Sequence, residues 1–221
     1  MAPDKDFKLN RFFSKPVTNL LLRTPVTPNQ VTFFNLCLGL LTGFLFSRGT
    51  YAASLAGALG YQTLAVLDNC DGEIARAKNL KSELGGWLDV WVDIVNDSAL
   101  FVGLTLGLLR QNTSGPVLLL GALCVTGGLI HFFIVILEKT KGFGPAVFNQ
   151  SGPAQSRRKN LIFKLWNAFR EGETSWLVLG FVLCGQMKWL LWLGALYMNA
   201  LWLSALCLNF KWIFFPRHEN S

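Results

Sequence analysis

Six apolar stretches, at roughly residues 31–47, 52–75, 86–109, 116–137, 174–187 and 189–210, constrain this chain more than any other feature. A helix needs about 20 predominantly apolar residues to cross the hydrocarbon core of a bilayer, and a backbone in lipid must satisfy its own hydrogen bonds. The series therefore predicts a bundle of membrane-spanning helices. Composition agrees: 52% of the 221 residues are hydrophobic and 15% are charged, where a soluble domain would carry about 25% charged residues. The fifth stretch, "TSWLVLGFVLCGQ", is the shortest. It either reaches back through the amphipathic "LIFKLWNAF" (161–169) or lies shallow in the membrane. Ahead of the first stretch, "FKLNRFFSKPVTNLLLR" (7–23) mixes Phe and Leu with Lys and Arg. That is the pattern of a helix lying in the membrane interface, here broken near Pro16. The expected fold is all-α and integral to the membrane: six transmembrane helices plus an N-terminal interfacial amphipathic helix. A single domain over 1–221 is expected, with an arm at 1–27 and the six-helix bundle at 28–215.

The basic residues orient this bundle. Six spans put both termini on one side, where the N-terminal arm holds five Lys/Arg, the second-to-third connection three (Arg76, Lys78, Lys81) and the C-terminal tail two. The fourth-to-fifth connection on that side holds seven more, and the opposite side has only Arg48, Arg110 and Lys188. By the positive-inside rule both termini and the 76–84 connection are cytoplasmic. The net charge of +7 thus follows from topology and calls for no nucleic acid, though part of it is available to anionic membrane lipids or a phosphorylated substrate. No cleavable signal peptide is expected, because the first thirty residues are polar, basic and interrupted by prolines. The five cysteines are scattered through apolar stretches without a CxxC pair and read as packing residues.

Against that background the stretch Leu67–Asp93 is anomalous, with six carboxylates between apolar runs. Asp68, Asp71, Gly72 and Ala75 follow i, i+3, i+4, i+7 spacing, one stripe down a helix. Gly85, Asp89 and Asp93 do the same at i, i+4, i+8. The short polar link predicts two antiparallel neighbouring helices whose acidic stripes face each other, with Gly72, Ala75 and Gly85 leaving room between them. Each ionised carboxylate at the centre of a spanning helix costs about 2.5–3.5 kcal/mol, so four unpaired would cost roughly 10–14 kcal/mol. Arg76 is the only basic residue on either stripe. Two divalent cations would balance four carboxylates, and all-oxygen ligands select a hard ion such as Mg²⁺ or Mn²⁺. Paired ions are a device for clamping phosphates. Facing acids in spanning helices also serve ion or proton transporters, so a divalent-cation transporter stands as the alternative from another class.

The array D-x-x-D-G-x-x-A-R-(eight residues)-G-x-x-x-D-x-x-x-D, filled by Asp68, Asp71, Gly72, Ala75, Arg76, Gly85, Asp89 and Asp93, resembles the signature of the CDP-alcohol phosphotransferase family. The six spans, the interfacial N-terminal helix and "TPNQVT" (27–32) are similar to that family as well. The resemblance implies transfer of a substituted phosphate from a CDP-activated donor to an alcohol hydroxyl, with release of CMP, in phospholipid biosynthesis. It implies that Asp68, Asp71, Asp89 and Asp93 bind Mg²⁺ or Mn²⁺, two ions in all, and that Asp93 is the base that deprotonates the acceptor. Gly72, Ala75, Arg76 and Gly85, with Pro28, Asn29 and Thr32, would border the CDP donor. Arg157, Arg158 and Arg170 carry two readings, topological charge or a seat for a phosphate on the acceptor. The implied donor is a CDP-linked diacyl lipid, with a CDP-linked small polar alcohol and a lipid acceptor as the alternative. The implied active site opens to the cytoplasm, and family members often pair as homodimers.

Other polar residues in the spans have structural readings. Asp97 extends the 85–89–93 stripe by a turn and reads as a packing residue bonded to Asn96 or to a neighbouring helix. Glu73 faces away from the acidic stripe and reads as an interfacial or loop-facing charge. His131 reads as a hydrogen-bonded interior residue. The Gly39/Gly43 and Gly103/Gly107 pairs have the small-xxx-small spacing of helix packing.

Overall fold

The computed structural model describes residues 9–141 and 174–214. They form seven helices: α1 (Leu9–Leu22), α2 (Pro28–Ser47), α3 (Tyr51–Ala77), α4 (Glu83–Arg110), α5 (Val117–Lys141), α6 (Thr174–Leu183) and α7 (Met187–Phe214). Arg157, Arg158 and Arg170, together with the 161–169 segment, lie outside the described residues.

Local chemistry sets the helix starts. Pro28 opens α2 with its φ already helical, and the Gln30 side chain accepts the Thr27 N–H at 2.9 Å. Thr50 caps α3 by accepting the Ala53 N–H, and Ser82 caps α4 by accepting the Gly85 N–H at 3.0 Å, which satisfies otherwise orphaned donors. Among the described residues α2, α4 and Val117–Ile134 of α5 are long and apolar enough to cross a membrane. Large apolar side chains such as Phe33, Phe44, Leu118 and Leu119 point outward from them, as lipid contact requires. α3 is 27 residues long, but its stretch 68–77 carries Asp68, Asp71, Glu73 and Arg76. α6 has ten residues, about 15 Å of helix, half a hydrocarbon core.

α1 runs unbroken through Pro16, contrary to the expected break. Pro16 lies on the exposed side, while Ser14 and Thr18 anchor the turns before and after it to Glu73 on α3. The buried face of α1 is polar (Asn10, Ser14, Thr18) and its exposed face includes Phe12, Phe13 and Leu20.

α2 packs along both α3 and α4. Glycine makes the α2–α4 approach possible: a Cβ on Gly103 would strike the Gly43 carbonyl, and one on Gly39 would strike the Asn96 side chain. The two small-residue pairs of the sequence therefore lie along one α2–α4 seam, where Gly103 meets Gly43 directly. As expected, the acidic stripes of α3 and α4 face each other with space between them: both helices pack closely on α2 rather than on one another, and carboxylate oxygens of Asp68, Asp71 and Asp89 meet across that space. α5 packs on α4 and α7, and α6 rests on α3 and α7. The main core joins Phe46, Tyr61, Leu104, Val182 and Leu191. A second, smaller core of Val31, Cys70 and Ile74, backed by Val17 and Leu21, ties α1 and α2 to the acidic end of α3.

Candidate active site

Three helices converge on the acids. α3 supplies Asp68 and Asp71, and α4 supplies Asp89. One carboxylate oxygen from each lies within 4.8 Å of the other two. Asp71 is only 6% exposed, and the Thr32 hydroxyl of α2 donates to its Oδ2 at 2.8 Å. That bond orients one carboxylate oxygen and leaves the other for the cluster. Oxygens around a single hard cation sit about 2.0–2.6 Å from it, so the triad's spacing is within reach of one ion. Its donors are all oxygen, which suits a hard divalent metal. The residues present fit the group.

Beside the triad the side chains are small or folded back. The Arg76 guanidinium lies across Gly72, where a Cβ would meet Nη1 at 3.4 Å. A Cβ on Gly85 would lie 2.9 Å from Ser82 Oγ and 3.2 Å from Asn29 Oδ1. The start of α4 thus abuts the first turn of α2. Pro28, Asn29, Thr32, Gly72, Arg76 and Gly85 are gathered at the same end of α2, α3 and α4 as the triad, and Ala75 lies on α3 between Gly72 and Arg76.

Asp93 is not part of the triad. It lies one turn further along α4 and, with Asp68, lines a cavity of about 830 Å³ bounded by α3, α4, α6 and α7. The polar lining includes Asn10, Tyr61, Asn69, Asp97, Thr174 and Ser175, and the far end is apolar, with Phe181, Leu190 and Leu193. A chain of hydrogen bonds holds part of this wall: Gln62 Nε2 donates to Asn10 Oδ1 at 2.7 Å, and Asn10 Nδ2 donates to Ser175 Oγ at 3.1 Å.

The sequence pattern of the CDP-alcohol phosphatidyltransferase family matches residues 25–156, the segment that contains every acid described above. The chain belongs to this family. Among similar CDP-alcohol phosphatidyltransferases and their relatives, an uncharacterised protein of Aquifex aeolicus is 30% identical over 79% of this chain and 77% of its own length. A phosphatidylinositol phosphate synthase of Corynebacterium glutamicum is 29% identical over 68% of this chain and 66% of its own. A bifunctional IPC transferase and DIPP synthase of Thermococcus kodakarensis is 41% identical over 38% of this chain, which spans only 18% of that protein. The fold is shared with the phosphatidylinositol phosphate synthase of Mycobacterium tuberculosis. With CDP-DAG bound, that structure has a TM-score of 0.63 at 20% identity and covers 95% of this chain and 98% of its own. Its complex with manganese and citrate gives 0.61 at 20% identity over 94% and 92%. As a CDP-alcohol phosphatidyltransferase, this chain is an integral membrane phosphotransferase of phospholipid biosynthesis.

Two residues sit differently from their sequence readings. Glu73 does face away from the acidic stripe, but α1 covers it: Thr18 donates to Oε2 at 2.6 Å, Ser14 to Oε1 at 3.4 Å, and Arg11 Nε lies 3.8 Å from Oε1. Asp97 does bond to a neighbouring helix, receiving the Tyr61 hydroxyl at 3.3 Å. Sequence reasoning missed Asn10, Tyr61, Asn69, Thr174 and Ser175 in the cavity wall. The available signal was a hydrogen-bonding side chain inside an otherwise apolar or interfacial helix.

Proposed function

We propose that this CDP-alcohol phosphatidyltransferase moves phosphatidyl from CDP-diacylglycerol to a hydroxyl of a phosphorylated polyol of the inositol phosphate kind. The acceptor oxygen bonds to the lipid-side phosphorus, the bond from that phosphorus to the bridging oxygen breaks, and CMP leaves. The single observation that carries the chemistry is the convergence of Asp68, Asp71 and Asp89 oxygens within 4.8 Å, beside a cavity that Asp93 lines.

In this reading Asp68, Asp71 and Asp89 hold Mg²⁺ or Mn²⁺, with Asp93 also in reach of a second ion. Bound there, the ions neutralise the pyrophosphate and the charge on the departing CMP. Thr32 fixes Asp71 so that its carboxylate does not have to reorganise. Asp93 removes the acceptor proton, since it faces the cavity from one helical turn beyond the triad. Arg76, folded over Gly72, lies alongside the diphosphate. Gly72, Ala75 and Gly85 keep the donor path clear of bulk, and Pro28 and Asn29 wall the cytidine side. Arg157, Arg158 and Arg170 would meet the acceptor phosphate. In this reading residues 1–221 are one domain of six membrane segments, with α3 and α7 completing the full spans and the short α6 lying shallow, α1 in the membrane interface, and both termini and the site opening cytoplasmic. Homodimers are part of the proposal.

The inositol phosphate acceptor is supported by the Corynebacterium glutamicum relative, named as a phosphatidylinositol phosphate synthase. The test is CMP release by purified protein in liposomes with CDP-diacylglycerol, Mg²⁺ or Mn²⁺, and a panel of inositol 1-phosphate, glycerol 3-phosphate, inositol, glycerol and serine. Release that depends on inositol 1-phosphate is expected. Release that requires a different alcohol would refute the acceptor, and no release with any would refute CDP-diacylglycerol as the donor.

A further inference from the structure

Asp97 lies outside the eight positions of the signature, yet it lines the same cavity as Asp93. The two carboxylates are four residues apart on α4 and so share a face, offset by about 6 Å along the helix axis. The Tyr61 hydroxyl of α3 donates to Asp97 Oδ1 at 3.3 Å. An ionised carboxylate offers about four acceptor positions, so this single bond steadies the group without exhausting it. Neutral side chains that both donate and accept, Asn69, Thr174 and Ser175, line the same wall. The cavity volume, about 830 Å³, is within the range of roughly 300–1,000 Å³ typical of small-molecule sites.

We propose that Asp97 is an acceptor-binding residue that reads a second hydroxyl of a polyol while Asp93 engages the hydroxyl that reacts. Two acceptor-only groups about one helical turn apart match two hydroxyls on one compact polyol, both of them donors. A monohydric alcohol would reach Asp93 and leave Asp97 without its ligand. Selection would then follow from the asymmetry of buried polar contacts: a site built to bond a hydroxyl loses more with the analogue that lacks it than it gains from a better apolar fit. The inference rests on the transferase reading above and names how that site chooses its acceptor.

The test couples substrate and residue. CMP release is measured in wild-type protein and in Asp97→Asn and Tyr61→Phe, using inositol 1-phosphate and each of its mono-deoxy analogues, with CDP-diacylglycerol saturating. In wild type, one deoxy analogue should raise the acceptor KM by about 10- to 100-fold, the weight of one charge-assisted hydrogen bond. Asp97→Asn should raise the KM for the full polyol by a similar factor, with kcat changed much less, and should erase most of the extra penalty for that one analogue. Tyr61→Phe should give a smaller shift in the same direction. A residue that merely braces the fold would lower kcat for every acceptor and leave the analogue penalties in place, and that pattern overturns the proposal. So does equal use of monohydric alcohols and polyols by wild type. Failure of every alcohol to release CMP overturns the proposed CDP-diacylglycerol reaction on which this inference rests, a different result from release with unaltered analogue penalties.

Discussion

Thr32→Val is the sharpest probe of how the acidic site is held. Val keeps the β-branched shape of Thr in α2 and removes only the hydroxyl. In the native protein that hydroxyl donates to Asp71 Oδ2 at 2.8 Å, with Thr32 4% and Asp71 6% exposed. Its other acceptor, the Pro28 carbonyl, is more distant at 3.2 Å, so the proton belongs mainly to the carboxylate. A hydrogen bond to a charged group contributes about 1.5–3 kcal/mol, and residues that orient metal ligands typically carry 10- to 100-fold in metal affinity. The Mn²⁺ concentration giving half-maximal CMP release should therefore rise about 10- to 100-fold in Thr32→Val, with maximal release at saturating Mn²⁺ partly restored. Thr42→Val is the control. Thr42 is also buried in α2, and its Oγ1 has no hydrogen-bond partner, so that variant should keep the wild-type metal dependence. A Thr32→Val protein that folds and titrates with Mn²⁺ like wild type would refute the reasoning.

Two further predictions concern packing. Gly103→Ala puts a methyl group against the Gly43 carbonyl, an overpacking cost of about 1–3 kcal/mol. The unfolding midpoint in detergent should fall by several degrees. Gly180→Ala, with nothing within 4 Å of the added carbon, should leave it unchanged or raise it, and equal losses in both would contradict the α2–α4 seam. Glu73→Ala removes the acceptor of Thr18 and Ser14 and should expose Asn10–Leu22 amides to hydrogen exchange, with Glu73→Gln intermediate. Unchanged exchange in Glu73→Ala would show that α1 is held by other contacts.

The parts of the molecule legible in sequence are those governed by local periodicity. Apolar length marked α2, α4 and α5 to within a few residues. The i, i+3, i+4 spacing placed Asp68 and Asp71 on one face, because helix geometry alone decides that. What was not legible depends on which helices meet. Thr32 reads only as a residue bordering the donor until α2 is laid against α3 and its hydroxyl meets Asp71, 39 positions away. Tyr61 is an ordinary aromatic of a spanning helix until α4 brings Asp97 to it, 36 positions on. Glu73 reads as an interfacial or loop-facing charge until α1 is laid over it, bringing Thr18, Ser14 and Arg11 to its carboxylate. α1 sets Asn10, Ser14 and Thr18 inward while Phe12, Phe13 and Leu20 stay exposed, a pattern that its composition alone does not show. A short link fixes the proximity of α3 and α4 at one end, but where each rests on α2 depends on glycines in different helices, Gly39 and Gly43 of α2 against α4 and Gly57 and Gly60 of α3 against α2.

The central claim is that Asp93 takes the acceptor's proton at a site whose neighbours bind the donor. Its most direct test is to measure, on the same Asp93→Asn preparation, CDP-diacylglycerol binding in the presence of Mn²⁺ and acceptor-dependent CMP release. The expected result is donor binding within several-fold of wild type and release reduced by at least 100-fold, the lower bound of the roughly 10²–10⁴-fold contribution of a general base. Near-normal release from that protein would contradict the claim, and the proton would have to leave by another group.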